Sequence, residues 1–253
     1  MPRYFLELSY KGTAYSGFQV QDNAETIQSE VQKAFYTLFR RAFELTGSSR
    51  TDAGVHASQN FFHFDTDLPV TTKHIYNLNA LLPADIAVKA IYSVPDTAHC
   101  RFDAIAREYK YFIYTGKDPF LVDRAWAYPY PINIDLLRLA ARVLTEYRDF
   151  TSFSKRNTQV NNFFCSIELS EWLIEDNQLV YHVKANRFLR GMVRGLVGTM
   201  LKLGRELVTI EEFRNIIESK DCTKADFSTP PQGLFLTQIT YNDSLKPFLV
   251  KAV

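Results

Sequence analysis

The chain opens with alternating apolar and polar residues, a pattern that predicts a β-strand. Its inward face would carry Tyr4, Leu6, Leu8 and Tyr10. Apolar residues at helical spacing predict helices over about residues 27–38 and 71–82, and Pro83 ends the second. Further strands are predicted over residues 43–48, 59–64 and 86–94. The first part of the chain therefore has the order strand, helix, two strands, helix, strand.

The rest of the chain repeats this order. Strands are predicted over residues 106–116, 166–175, 179–185 and 234–241, and helices over about 133–145, 187–203 and 211–219. Asp176-Asn177 would form the hairpin turn between the second and third of these strands. We interpret the pattern as an internal duplication of an α+β unit, with domains 1–104 and 105–253 and a cleft between them.

Composition narrows the class of protein. With 46% apolar and 23% charged residues the chain can bury a full core, and its net charge of +1 implies no general cationic field. Any nucleic-acid site must therefore come from local clustering of charge. Three distant cysteines suit neither a zinc site nor a disulfide framework and indicate a reducing cytosol. The sequence shows no signal peptide and no apolar run long enough to cross a membrane.

The loop over residues 49–57, between two predicted strands, is the first candidate for chemistry. Its sequence is Ser49-Arg50-Thr51-Asp52-Ala53-Gly54-Val55-His56-Ala57. Gly54 can adopt positive φ and Asp52 can bond its own backbone, so the turn should hold the Asp52 carboxylate in a fixed direction. The structural alternative is a plain hairpin with a salt-bridged rim.

A second candidate is the stretch from Asn177 to Arg205, which contains no acidic residue. On the predicted helix, Arg187, Arg190 and Arg194 would share one face. Such a face is either simply solvated or a cleft wall that meets phosphates and supplies a cation to Asp52. Glycines at 191, 195 and 198 would let another backbone approach this helix. Further cationic candidates lie outside the stretch: Arg101, Arg107, Lys155 and Arg156.

A carboxylate held between a guanidinium and an aromatic ring can attack an electrophilic carbon. Tyr109 could supply that ring, and a planar base flipped out of RNA would stack on it. Tyr109 could equally face the core. A glycosidase would need a second carboxylate, for which Asp65 and Asp67 look like turn residues. His56 and His63 could bind a metal, but no third ligand has suitable spacing, so we expect structural histidines and no metal.

A set of ordered motifs covers nearly the whole chain: Tyr10-Lys11-Gly12, Gly17-Phe18-Gln19, Arg50-Thr51-Asp52-Ala53-Gly54-Val55-His56, Leu82-Pro83, Arg101-Phe102, Arg107 with Tyr109, Asp149-Phe150-Thr151-Ser152-Phe153, Met192-Val193-Arg194 and Pro230-Pro231-Gln232-Gly233-Leu234. With these motifs the chain resembles the bacterial tRNA pseudouridine synthase A (TruA) family. It departs from the family pattern at Ser49, where glycine is usual, at Gly191, where histidine is frequent, and at Phe18, where tryptophan is usual.

The resemblance implies an isomerase that converts uridine to pseudouridine at positions 38, 39 and 40 of the tRNA anticodon stem-loop, without cofactor or metal. Asp52 would be the nucleophile and would attack ribose C1′ or uracil C6. Tyr109 would stack on the target base and could remove the C5 proton, and Arg194 would pair with Asp52. The substrate-binding set would comprise Tyr109, Arg50, Thr51, Leu234 (or its neighbour Leu236), Arg187, Arg190 and Arg107.

The resemblance also implies an architecture. The family has two similar α+β halves that share an extended mixed, mainly antiparallel sheet, with helices on one face and a central cleft. It works as a cytoplasmic homodimer in which one tRNA contacts both subunits, and no membrane is involved.

Overall fold

The computed structural model describes residues 1–156 and 160–250. Its strands and helices are β1 (Arg3–Tyr10), α1 (Ile27–Phe39), β2 (Thr46–Gly47), β3 (His56–Asp65), α2 (Thr72–Leu81), β4 (Ile86–Val94), β5 (Ala104–Tyr114), β6 (Trp126–Ala127), α3 (Ile134–Leu144), β7 (Ile167–Glu175), β8 (Gln178–Ala185), α4 (Met192–Gly204), α5 (Ile210–Glu218) and β9 (Leu234–Tyr241). These elements confirm the predicted α+β class, with an open, mixed and mainly antiparallel sheet. Within the described residues, no helix is both long and apolar enough to cross a membrane.

The chain divides into two compact units. The first contains Met1–Ile105 and continues with the segment that starts at Leu236, and the second contains Ala106–Phe235. Both crossings between units occur inside a strand, in β5 and in β9. Most of β9 therefore belongs to the first unit, and the division into domains 1–104 and 105–253 stays a prediction.

The strand order in the first unit is β4-β1-β3-β9, with the short β2 beside β3. Leu6 of β1 lies opposite Phe62 of β3 and Ile91 of β4 in antiparallel pairs. Phe5 and Leu6 are both fully buried, so β1 is covered on both faces and not on one as the alternation suggested. On α1, Ile27, Val31 and Phe35 are buried against this unit, as the helical spacing predicts.

In the second unit the order is β5-β8-β7, and β6 pairs with β5 in parallel. Asp176 and Asn177 turn the chain from β7 to β8 with φ of 48° and 61°, the positive values of a tight hairpin turn. Trp172 and Tyr181 are buried with their ring centroids 5.1 Å apart. Most of α4 is buried as well.

Three predicted elements start three or more residues away from their predicted position. The strand expected over residues 43–48 is reduced to Thr46–Gly47, and the following strand starts early, at His56. The helix expected from residue 187 starts only at Met192, because Gly191 is its N-cap and has a left-handed φ of 73°. The prediction that Arg187, Arg190 and Arg194 share a helix face is therefore wrong, since only Arg194 lies on α4.

Candidate active site

The loop that carries Asp52 is a tight turn between β2 and β3. The backbone N–H of Val55 donates to the Asp52 carbonyl at 3.1 Å, and Gly54 has the predicted positive φ, 77°. The Asp52 side chain is half-buried, whereas Arg50 is exposed. The turn thus holds the backbone of Asp52 in a fixed conformation and leaves its carboxylate partly accessible.

A second loop, over residues 11–19, packs backbone to backbone against this turn. The Phe18 N–H donates to the Thr51 carbonyl at 3.1 Å. A Cβ atom on Gly12 would lie 2.0 Å from the Val55 carbonyl oxygen, so this position has no room for a side chain. The Gly12 N–H donates to Nδ1 of His56 at 3.1 Å, and His56 is fully buried. His56 therefore occupies a bracing position between the two loops.

Thr51 faces the interior of the first unit. Its side chain is buried, and Oγ1 lies 2.8 Å from the hydroxyl of Tyr10. Asn60 extends the network, because its Nδ2 donates to the Tyr10 hydroxyl at 3.1 Å and to the Ser49 carbonyl at 2.8 Å. The hydroxyl of Ser49 is buried without a hydrogen-bond partner among the described residues. This polar network holds the start of the Asp52 turn in place.

The carboxylates weighed for a glycosidase are already engaged. Asp65 accepts two hydrogen bonds of 2.7 Å from the Arg3 guanidinium, which hold the pKa of its carboxyl below its usual range. Asp67 accepts one of 3.0 Å from Arg41. Neither is therefore placed as a free acid or base, and the structure does not support that alternative.

In the second unit, Tyr109 lies on β5 opposite Val183 of β8. Its ring is 9% exposed and meets Phe188 edge to face, with centroids 5.0 Å apart. This contact fixes the plane of the Tyr109 ring. Leu234, at the start of β9, is also buried at 6% exposure, and Leu236 of the first unit is fully buried.

Arg194 lies in the first turn of α4 and is held by the segment that precedes β9. Its Nε donates to the Thr229 carbonyl at 2.6 Å, and the Thr229 hydroxyl donates back to the Arg194 carbonyl at 2.9 Å. A Cβ on Gly198 would lie 2.4 Å from the Asp226 carbonyl oxygen. The close approach of another backbone to this helix, expected from its glycines, is thus confirmed.

Most of the remaining cationic candidates belong to the second unit, whereas Arg101 lies in the first, with its guanidinium 5.7 Å from the ring centroid of Phe102. Arg107 donates from Nη1 to the Asn186 carbonyl at 3.1 Å. Arg187 is half-buried and Arg190 exposed, and both precede α4. Near them opens a cavity of about 320 Å³ whose lining includes Lys155, Arg156 and Lys220. Three cationic side chains and one carboxylate, that of Asp221, line the cavity, so its charge is net positive. None of the predicted catalytic residues lines it.

One cluster escaped the sequence analysis. His63, His99 and Cys100 gather in the first unit, with potential ligand atoms within 4.8 Å of one another. His99 and Cys100 lie in the segment between β4 and β5, far along the chain from His63. Sequence spacing carries no signal for such a set, because the packing of the segment between β4 and β5 against β3, and not local sequence, brings its members together.

Comparison with known proteins places these features in context. A family model described as "tRNA pseudouridine synthase" matches residues 8–103 and 140–242. The chain is 43% identical over 249 residues to "tRNA pseudouridine synthase A" of Parabacteroides distasonis, covering 98% of this chain and 99% of the relative. The protein of that name from Bacteroides thetaiotaomicron is 45% identical over 251 residues (97% and 93% covered), and that from Bacillus subtilis 37% over 241 residues (93% and 98% covered).

Proposed function

Since this chain belongs to the tRNA pseudouridine synthase family and is an isomerase, we propose that it converts uridine to pseudouridine at positions 38, 39 and 40 of the anticodon stem-loop. The observation that carries the proposal is the Asp52 turn, pinned by the backbone of residues 12–18. A nucleophile held in one direction reacts faster because its orientation is fixed before the substrate arrives.

In the proposed reaction, Asp52 is the nucleophile. It attacks ribose C1′ or uracil C6, the bond between C1′ and N1 breaks, and the uracil turns so that C5 bonds to C1′. The C5 proton then leaves, N1 regains a proton, and the Asp52 carboxylate is released unchanged. Substrate and product are isomers, so the balance requires no oxidant, reductant or other co-reactant, and we propose that no cofactor takes part.

Three further groups would complete the catalytic site. Tyr109, whose ring is fixed by Phe188, would stack on the flipped base and could accept the C5 proton. Arg194, oriented by the Thr229 carbonyl, would pair with Asp52 as its permanently charged cation. An apolar wall from Leu234 would exclude water from the base.

The remaining basic residues would bind the RNA backbone. Arg50, exposed beside Asp52, would hold the flipped nucleotide, with Thr51 keeping the turn in shape. Arg107, Arg187 and Arg190 would contact phosphates near the start of α4. From the family resemblance we further propose a cytoplasmic homodimer in which one anticodon arm meets both subunits. The relatives are named tRNA pseudouridine synthase A, and these names support tRNA as the substrate class.

The decisive experiment measures tritium release from tRNA that carries [5-³H]uridine. We expect Asp52→Asn to abolish release while tRNA binding, followed by filter retention, persists, because the amide keeps the shape but cannot attack. Asp22→Asn, at an exposed position, is the matched control and should turn over normally. Turnover retained by Asp52→Asn would remove Asp52 from the mechanism. A wild-type protein that binds tRNA but never releases tritium would be a binding module and not an enzyme.

A further inference from the structure

The His63, His99 and Cys100 cluster is a separate feature from the Asp52 turn. Nδ1 of His63 lies 3.3 Å from the Cys100 Sγ. The imidazole rings of His63 and His99 meet at 71° with centroids 4.6 Å apart. Two of the three residues are buried, Cys100 fully and His63 with 7% exposure, while His99 reaches the surface. The cluster thus combines three metal-binding side chains with a path from solvent.

We propose that His63, His99 and Cys100 form a binding site for Zn²⁺, with a water molecule as the fourth ligand. Two imidazoles and one thiolate are ligands that zinc favours, and a tetrahedral site with three protein ligands keeps one position open. The Cys100 thiol would lose its proton to solvent as the metal–sulfur bond forms, and no electron transfer is involved.

The spacing of the donor atoms fits this ion closely. In a tetrahedral zinc site with metal–nitrogen distances of about 2.0 Å and metal–sulfur distances of about 2.3 Å, neighbouring ligand atoms are roughly 3.5 Å apart. The His63 Nδ1 and Cys100 Sγ pair already has nearly this separation, 3.3 Å. All three donor atoms lie within 4.8 Å of one another, so a shift of roughly 1 Å would complete the set.

The surroundings can accept the added charge. The nearby guanidinium of Arg3 is neutralised by its two hydrogen bonds of 2.7 Å to Asp65. The Cys100 thiol donates a hydrogen bond to the Thr46 carbonyl at 3.1 Å, and this bond is lost when the thiol gives up its proton to bind the metal. The Cys100 thiolate would itself cancel one of the two charges of zinc. The charge of the buried ion is therefore compensated by the thiolate itself, and the Arg3–Asp65 pair adds no net charge beside it.

Both histidines give up a hydrogen bond on binding. Nδ1 of His63 accepts one of 3.4 Å from the Cys100 N–H. Nδ1 of His99 accepts one of 3.1 Å from the Arg101 N–H, which places the proton of the neutral ring on Nε2. Zinc binding at either nitrogen therefore costs this hydrogen bond. We expect His63 and Cys100 to form the core of the site and His99 to strengthen it.

Cobalt(II), which replaces zinc and absorbs visible light, gives a direct test on the full chain. Titration of metal-free protein with Co²⁺ should produce a thiolate-to-cobalt charge-transfer band and the intense visible bands of a tetrahedral site, and Zn²⁺ should bleach both. Cys100→Ser should lose the charge-transfer band. His99→Gln should keep it but weaken binding by at least about 10-fold, because losing a ligand costs no less than losing a residue that only hydrogen-bonds to a ligand.

Two cysteine variants serve as controls, Cys165→Ser for a buried thiol and Cys222→Ser for a more exposed one. Both should keep the cobalt spectrum of the wild type. Circular dichroism on each variant separates a lost site from a lost fold, and the wild-type titration needs no variant at all. Absence of the charge-transfer band in the wild type, or its loss in either control while Cys100→Ser retains it, would overturn the proposal.

Discussion

At the scale of single residues, two adjacent serines show how position decides the effect of a hydroxyl. The Ser48 Oγ donates to the Cys100 carbonyl at 2.6 Å, and it also accepts from the Tyr241 hydroxyl at 3.4 Å. Ser49, which precedes the Asp52 turn, has a buried Oγ that makes no hydrogen bond within the described residues. A buried hydroxyl without a partner loses its hydration and gains nothing in return.

Opposite stability changes are therefore predicted for the two serines. Ser49→Ala should raise the free energy of unfolding by about 1 kcal/mol, since it removes an unsatisfied buried group. Ser48→Ala should lower it by about 1 kcal/mol, because the Cys100 carbonyl loses a donor. Urea unfolding of both variants beside the wild type measures the difference. A loss of stability in Ser49→Ala as large as that in Ser48→Ala would show that the Ser49 hydroxyl has a partner in solution.

The sequence predicted some residues of the site well and others not at all. The turn around Asp52 follows from local chemistry, since Gly54 and Asp52 favour it wherever the chain goes. The burial of Thr51 was not foreseen, because its partner Tyr10 lies on another strand. The grouping of His63 with Cys100 also escaped prediction, because Cys100 lies in the segment between β4 and β5 and meets His63 only in the folded unit. Local sequence determines turns, whereas contacts across a sheet depend on strand register.

At the scale of elements, α4 shows where pattern reasoning succeeds and where it fails. Its glycines predicted a close approach, and Gly198 does face the Asp226 carbonyl. The start of the helix was misplaced because the apolar spacing continues through Phe188 and Leu189, which lie outside it. A left-handed Gly191 interrupts the helix without any change in the hydrophobic pattern.

The close approach reverses the usual effect of replacing a helical glycine. In an open helix, glycine to alanine stabilises by about 1 kcal/mol. Gly198→Ala should instead destabilise the protein by about 1–3 kcal/mol, because the new Cβ would lie 2.4 Å from the Asp226 carbonyl oxygen. Thermal and urea unfolding report the sign. A stabilised Gly198→Ala protein would mean that the backbone around Asp226 can move away from the new Cβ at little cost in free energy.

The turn before α4 should contribute electrostatically to tRNA binding. Arg187→Ala and Arg190→Ala are each expected to weaken binding and to reduce the slope of log affinity against log salt by roughly 0.7–0.9, the value for one phosphate contact. Arg138→Ala, on the exposed side of α3, is the control and should leave the slope unchanged. Fluorescence anisotropy over a range of salt concentrations gives the slopes. Equal slopes for all four proteins would exclude this turn from the RNA contact.

At the scale of the whole molecule, the chain leaves the first unit within β5 and returns to it within β9. The order of the strands and helices was predictable apart from the short β6, but the return of the last residues to the first unit was not, because a linear pattern does not say which unit a strand joins. Tyr241 shows the consequence. Its hydroxyl donates to the Cys100 carbonyl at 2.7 Å, and its ring centroid lies 5.4 Å from that of Phe5.

The stability of the first unit should therefore depend on Tyr241, which lies more than half the chain away in sequence from its partners Phe5 and Cys100. Tyr241→Phe should cost about 1 kcal/mol of unfolding free energy through the lost hydrogen bond, and Tyr241→Ala about 3–5 kcal/mol through the lost packing. Phe248→Ala, at 41% exposure, is the control and should stay within about 0.5 kcal/mol of the wild type. Hydrogen exchange should locate the loosening in Tyr241→Ala to β1 and β3, since Phe5 and Phe61 contact the ring. Exchange that rises only in residues 106–235 would contradict the assignment of β9 to the first unit.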